Sequence, residues 1–180
     1  MSLKKDGVNI FYDPKGRYGL SKEAYYFIGG IMKHIQGMTL ILNPLVNSYK
    51  RLTPGYEAPV YLTWGAKNRS PLIRIPAGKG NTRIELRSPD PAANPYVALA
   101  LCLAAGLDGI KNRILPPEEA TGNLYKLDIT TAAEQDIERL PVNMGEAIQA
   151  MEADQFVLDT LGEEFSRCYL KAKKKEWGEY

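Results

Sequence analysis

Asn68-Arg69-Ser70-Pro71-Leu72-Ile73-Arg74-Ile75-Pro76 runs through Ala77-Gly78-Lys79-Gly80-Asn81 into Thr82-Arg83-Ile84-Glu85-Leu86-Arg87. Leu72 to Ile75 and Thr82 to Leu86 have strand-like content and are bounded by proline and glycine, which predicts a hairpin looped through 77–81. Alternate residues of a strand share a face. Arg83, Glu85 and Arg87 therefore project together, while Ile84 and Leu86 point to a core. A positive–negative–positive stripe suits an anionic ligand held beside a metal cation. The same stripe also describes a solvated strand face that contributes little stability. The hairpin alone does not choose between them.

Upstream, Val8 to Tyr12 reads as a short strand closed by Asp13-Pro14-Lys15-Gly16. Ser21 is an N-cap candidate, and Ala24, Phe27, Ile28, Ile31, Met32 and Ile35 then recur at helical spacing. Gly29-Gly30 within that helix costs about 1 kcal/mol per glycine relative to alanine, which points to close packing on another element. His34, the single histidine, reads as a satisfied structural residue. Asn43-Pro44 marks the helix boundary. The loop Thr53-Pro54-Gly55-Tyr56-Glu57-Ala58-Pro59 carries one acid among prolines and has too few apolar residues to be core, so it is a candidate functional loop. Val60 to Trp64 reads as a strand leading into Asn68.

Downstream, Asn94 and Pro95 predict an N-cap and first helical position. Tyr96 to Leu107 is apolar all round, which predicts a buried helix closed by Asp108-Gly109. Gly122 to Lys126 reads as loop. Helices are predicted over Met144 to Met151 and Phe156 to Trp177, the second ending in the basic run Lys171, Lys173, Lys174 and Lys175, read as a solvated helix end.

With 180 residues the chain is about one domain long, and its net charge of +2 implies no polyelectrolyte attraction to nucleic acid. No apolar run approaches the roughly 20 residues of a membrane span. Cys102 and Cys168 lack metal-ligand spacing and fit free thiols in a reducing cytoplasm.

Taken in order, several segments resemble the catalytic domain of glutamine synthetase, most closely the bacterial type I enzymes. They are Asn43-Pro44, Asn47 to Leu52, Pro54 to Pro59, Asn68-Arg69-Ser70, Ile73 to Pro76, Arg83 to Arg87, Pro89-Asp90-Pro91 and Asn94-Pro95-Tyr96. The resemblance implies an α+β fold in which antiparallel strands form part of an active-site funnel with helices packed behind. It implies that residues 1–180 are one segment, the C-terminal portion of the catalytic domain, with the β-grasp domain and first part of the catalytic domain lying upstream. It further implies ATP-dependent joining of glutamate and ammonia through γ-glutamyl phosphate, with Mg²⁺ or Mn²⁺, in a homo-oligomeric parent. The segment by itself is expected to be inactive.

Position by position, the resemblance assigns Arg51 and Arg87 to glutamate, and Glu57 to the flap that closes over it. It places Arg69 between nucleotide phosphate and glutamate, Arg74 on nucleotide phosphate and Glu85 on the metal. Arg83 is assigned to nucleotide or structural support. Lys79 is out of register with the family's nucleotide lysine, and Ser2 has no settled place. Tyr125 lies in Asn123-Leu124-Tyr125-Lys126-Leu127-Asp128, which departs from the family's adenylylation context, so it reads as an ordinary loop tyrosine. The alternatives are a related ligase joining glutamate to another amine, and a non-catalytic nucleotide- or anion-binding module.

Overall fold

A computed structural model describes residues 1–56, 58–76, 82–127 and 129–180. Glu57 and Lys79 lie outside them. Two small strands, β1 (Lys4–Lys5) and β2 (Val8–Asn9), pair antiparallel, so the first strand is shorter than Val8 to Tyr12 predicts. Helix α1 (Lys22–Leu42) follows, and the Ser21 side chain accepts from Ala24 N as expected of an N-cap. Asn43 ends it. The short α2 (Ser48–Arg51) then leads to β3 (Trp64–Ala66), β4 (Ile73–Ile75) and β5 (Glu85–Leu86).

The predicted antiparallel pairing is present, with Ile73 opposite Leu86 and Arg74 opposite Glu85, but β5 is shorter than Thr82 to Leu86 predicts, and the connection through 77–81 lies outside the described residues. Sequence reasoning did not foresee that β3 pairs parallel to β4, with Gly65 beside Arg74. Leu72, Ile73 and Ile84 are fully buried, so the hairpin keeps one side in the core. Each such side chain is worth about 1.5–3 kcal/mol in burial.

The chain continues as helices α3 (Pro95–Asn112), α4 (Ile129–Glu134), α5 (Met144–Ala153), α6 (Gln155–Leu161) and α7 (Glu163–Glu179). The long helix α1 is the spine, packing chiefly on α3 and then α5. The glycine pair explains how close that packing is. A Cβ on Gly30 would stand 2.1 Å from the Ala105 carbonyl, and one on Gly109 would stand 2.0 Å from the Tyr26 carbonyl. The two helices meet backbone to backbone there.

Three expectations about the helices fail. Helix α3 runs on past Asp108-Gly109 to Asn112, ending at Arg113 in the left-handed region. Nor is it buried all round: Leu101, Cys102, Ala105, Gly106 and Gly109 face the core, while Tyr96, Leu99, Leu103 and Leu107 are exposed. The helix predicted over Phe156 to Trp177 is two helices, because Gly162 sits at φ +83°, a conformation that only glycine adopts without strain. The basic run is solvated as predicted at Lys171, Lys174 and Lys175, while the Lys173 side chain is largely covered. Lys173 donates to the Pro44 carbonyl (2.6 Å) and pairs with Glu176, and Lys174 pairs with Glu152. Among the described residues, no helix is long and apolar enough to cross a membrane.

Candidate active site

The register that sets Arg74 opposite Glu85 brings both side chains to one face of the hairpin. Arg74 donates through Nε (2.9 Å) and Nη2 (2.5 Å) to Glu85 Oε2. Arg83, two residues before Glu85 and just ahead of β5, donates through Nε (3.2 Å) and Nη2 (2.9 Å) to Oε1. Each carboxylate oxygen thus sits in its own guanidinium fork, the planar geometry that arginine offers and lysine cannot. Burial pushes the Glu85 carboxyl up, but the hydrogen bonds from Arg74 and Arg83 outweigh it and hold the group below the ordinary carboxylate value.

Arg87 leaves this cluster, contrary to the simple alternation. Its Nη1 donates to the carbonyls of Arg69 and Pro71, and its Nη2 donates to the Tyr125 hydroxyl (3.3 Å). Its backbone N–H still bonds the Leu72 carbonyl, so the strand end is fixed while the side chain turns toward Arg69. Arg69 is exposed, and among the described residues its guanidinium has no hydrogen-bond partner. Asn68 braces this turn by accepting from the Ser70 N–H and hydroxyl.

Arg51 closes α2. Its Nη2 donates to Asn43 Oδ1 (3.1 Å) and to the Ser88 carbonyl, and its Nε lies 3.8 Å from Asp90 Oδ2, too far for a hydrogen bond. It therefore ties the end of α1 to the segment that follows Arg87. Five arginines (Arg51, Arg69, Arg74, Arg83, Arg87) against Glu85 and Asp90 give this side of the molecule a net positive field suited to phosphate and carboxylate groups.

An open cleft of about 510 Å³ adjoins Glu85, lined also by Met1, Leu86, Asp90, Pro95 and Leu99. A larger one of about 930 Å³ lies beside α1 between Lys33, Ile114, Glu119 and Ile137 and contains none of these arginines. The smaller cleft is likewise lined by none of the five arginines and meets the cluster only through Glu85, so the candidate site is placed at the arginine face of the hairpin itself, beside that cleft.

The donor set does not fit a self-contained metal centre. No three of the described His, Cys, Asp and Glu side chains come together as cation ligands. Glu85 is one carboxylate with a cation on each oxygen. His34 is no ligand either. It is buried, placed between Asp108 (Nε2, 3.2 Å) and Asp154 (Nδ1, 3.0 Å), and stacked on Phe156 at 4.0 Å, which matches its structural reading.

Tyr125 is the residue that sequence reasoning missed. Its hydroxyl donates to the Arg69 carbonyl (2.7 Å) and accepts from Arg87, so it touches the arginine cluster directly. Its sequence context carries no signal for this, because its first partner is a backbone carbonyl 56 residues away.

Comparison with known proteins identifies the family. The family model described as glutamine synthetase, catalytic domain, matches residues 1–180. Glutamine synthetases of Methanosarcina mazei (56% identical, 99% of this chain and 40% of that protein) and Thermus thermophilus (49% identical, 100% and 41%) align along the whole chain. Among solved structures, a GmaS–ADP complex superposes with a TM-score of 0.85 at 40% identity, covering 97% of this chain and 40% of its own. The chain thus spans about two-fifths of the length of these relatives. On this match, and with helices and small sheets combined in an α+β arrangement, the chain belongs to the glutamine synthetase catalytic-domain family.

Proposed function

We propose that this chain supplies the glutamate- and phosphate-facing arginine wall of an ATP-dependent glutamate–ammonia ligase. The observation that carries this reading is the Arg74–Glu85–Arg83 double fork, with the Arg69 and Arg87 arms beside it, on a chain of this family. In the reaction, a γ-carboxylate oxygen of glutamate attacks the terminal phosphorus of ATP, and the bond to the bridging oxygen breaks with release of ADP. Ammonia then attacks the acyl carbon, phosphate leaves with the bonding pair, and the surplus ammonium proton passes to a base.

Both steps move anionic oxygens past one another, so catalysis depends on positioned cations. Arg74 and Arg83, held at fixed spacing by Glu85, face the nucleotide phosphates. Arg69 has a guanidinium uncommitted among the described residues and stands between nucleotide and glutamate. Arg87 holds a carboxylate of glutamate, and Arg51 fixes the segment following Arg87 and adds its charge to that side. Glu57 is the flap acid that keeps water from the acyl phosphate. Metal binding by Glu85 would need further donors from outside the described residues, so no step is routed through it. The GmaS relative was solved with ADP, which supports an adenine nucleotide as the phosphoryl donor.

The test is phosphate release by the full-length protein, with ATP and Mg²⁺ supplied and glutamate and ammonia added in turn. Release that requires both, with glutamine formed, supports the proposal. Release that ignores glutamate refutes it, and dependence on a different amine assigns the chain to a sister ligase.

A further inference from the structure

The turn at 122–125 docks on the Arg69 segment through a set of hydrogen bonds that the reaction as described does not use. Asn68 Nδ2 donates to the Gly122 carbonyl (2.8 Å), and Leu124 N–H donates to Ser70 Oγ (3.0 Å). Asn123 caps the turn by accepting from Tyr125 N–H (3.1 Å). These bonds deliver the Tyr125 hydroxyl to the Arg69 carbonyl at 2.7 Å and to Arg87 Nη2 at 3.3 Å. Arg87 Nη1 donates to that same Arg69 carbonyl. Three groups therefore close a triangle.

Its polarity is fixed. A guanidinium can only donate and a carbonyl can only accept, so the Tyr125 proton must point at Arg69 and a lone pair must face Arg87. We propose that Tyr125 is a positioning residue for glutamate binding: its hydroxyl sets the plane of the Arg87 guanidinium and locks it to the Arg69 turn. This rests on the assignment of Arg87 to glutamate. A planar fork grips a carboxylate in one orientation only, so an arginine free to rotate about its long side chain binds more weakly while its charge is unchanged. Tyrosine suits the task because its rigid ring carries a hydroxyl that both donates and accepts.

The test uses Tyr125→Phe in the full-length protein, which removes one oxygen and keeps the ring. Two readouts separate the proposal from its premise. Phenylglyoxal modification of Arg87, followed by peptide mass spectrometry, reports the tether whatever the activity. Steady-state kinetics report its use. The expected result is faster modification of Arg87, a glutamate KM raised about tenfold, and kcat and the ATP KM within about twofold of the parent, as loss of one bond to a charged group implies. Unchanged Arg87 reactivity overturns the tether. Faster modification with an unchanged glutamate KM, or an equal loss in kcat and the ATP KM, overturns the positioning role. A parent protein with no glutamate-dependent ATP turnover refutes the ligase reading itself and, with it, the substrate assigned to Arg87.

Discussion

Replacing His34 by leucine tests how the helical half of the molecule is held together. His34 on α1 reaches Asp108 on α3 and Asp154 at the N-cap of α6, so one imidazole joins three helices. The charged groups facing it are Lys33, 3.5 Å from Asp108, and the two aspartates themselves. Asn112 bonds Asp108 at 2.6 Å, and Phe156 covers the ring. A hydrogen bond to a charged group contributes about 1.5–3 kcal/mol. Asp108 keeps Lys33 and Asn112, and Asp154 keeps the Val157 N–H, so neither aspartate is orphaned in the variant. The cost of losing both bonds therefore falls near the low end of their sum, about 3 kcal/mol, or a fall in Tm of roughly 6–12 °C for a chain of this size.

The pH dependence gives this prediction its edge. Burial pushes the His34 imidazole down, but its hydrogen bonds to Asp154 and Asp108 outweigh that and raise it above the ordinary histidine value. A raised histidine contributes its full stabilisation below the unfolded value of about 6.5 and loses it as pH climbs through the folded value. For Asp108, burial pushes the carboxyl up, but the bond from His34 and the charge of Lys33 hold it low. Its contribution is present above the unfolded aspartate value of about 3.9 and fades as pH falls through the folded one. The deficit of His34→Leu should thus be largest between about pH 4 and 6.5 and shrink as pH climbs through the raised folded value of the imidazole. Melting curves across that range, with NMR titration of the single imidazole, supply the measurement. A deficit independent of pH, or an imidazole titrating at or below about 6.5, would refute the argument.

Three other outcomes follow from the packing and the site. Gly30→Ala, which in an open helix would stabilise by about 1 kcal/mol, should instead destabilise by about 2 kcal/mol or more in urea titrations, because its Cβ meets the Ala105 carbonyl at 2.1 Å and the Gly109 nitrogen at 2.6 Å. Iodoacetamide should label exposed Cys168 at least about a hundredfold faster than Cys102, whose buried thiol is pushed up to about 11, with peptide mapping as the readout. Glu85→Gln should weaken both forks and leave two guanidiniums facing each other; for a group more than a quarter exposed the stability loss is about 1 kcal/mol, read by thermal melts, and a gain in stability would contradict the pairing.

The parts of this fold that were legible in the sequence are those set by local chemistry. Ser21, Asn43, Asn94 and Pro95 mark helix ends because capping depends on side chains within one turn of the backbone they bond. Gly29-Gly30 announces close packing because nothing else justifies its cost in a helix. The hairpin followed from proline and glycine placement. What was not legible depends on partners distant in sequence. Helix α3 is apolar on every side, so its own residues cannot say which face is covered, and the structure covers only the Leu101–Ala105–Gly109 side. Across Gly162 the apolar spacing persists from Leu158 through Leu161 to Phe165, which hides a break that a single positive φ creates. Arg87 obeys strand alternation in its backbone but turns its side chain to carbonyls at 69 and 71, oxygens that no residue type reveals.

Two bracketed ionisable groups now stand in contrast. In the helical half a histidine sits between two carboxylates, His34 between Asp108 and Asp154, and the arrangement is directed at packing. In the hairpin the signs are inverted: Glu85 sits between Arg74 and Arg83 at the edge of an open cleft. Two guanidiniums cannot be held close together without a counter-charge, so Glu85 first makes the arginine pair possible. The pair still carries one net positive charge, which is what a phosphate chain would meet. A cation bound at Glu85 as well would share each carboxylate oxygen with an arginine, and its charge would be opposed by both. The strength of the double fork is therefore the quantity that decides whether Glu85 serves the arginines alone or a metal too. If Glu85→Gln weakens ATP binding by the same factor with and without Mg²⁺, the arginines are its partners; a loss confined to the Mg²⁺-containing titration would give the carboxylate to the metal.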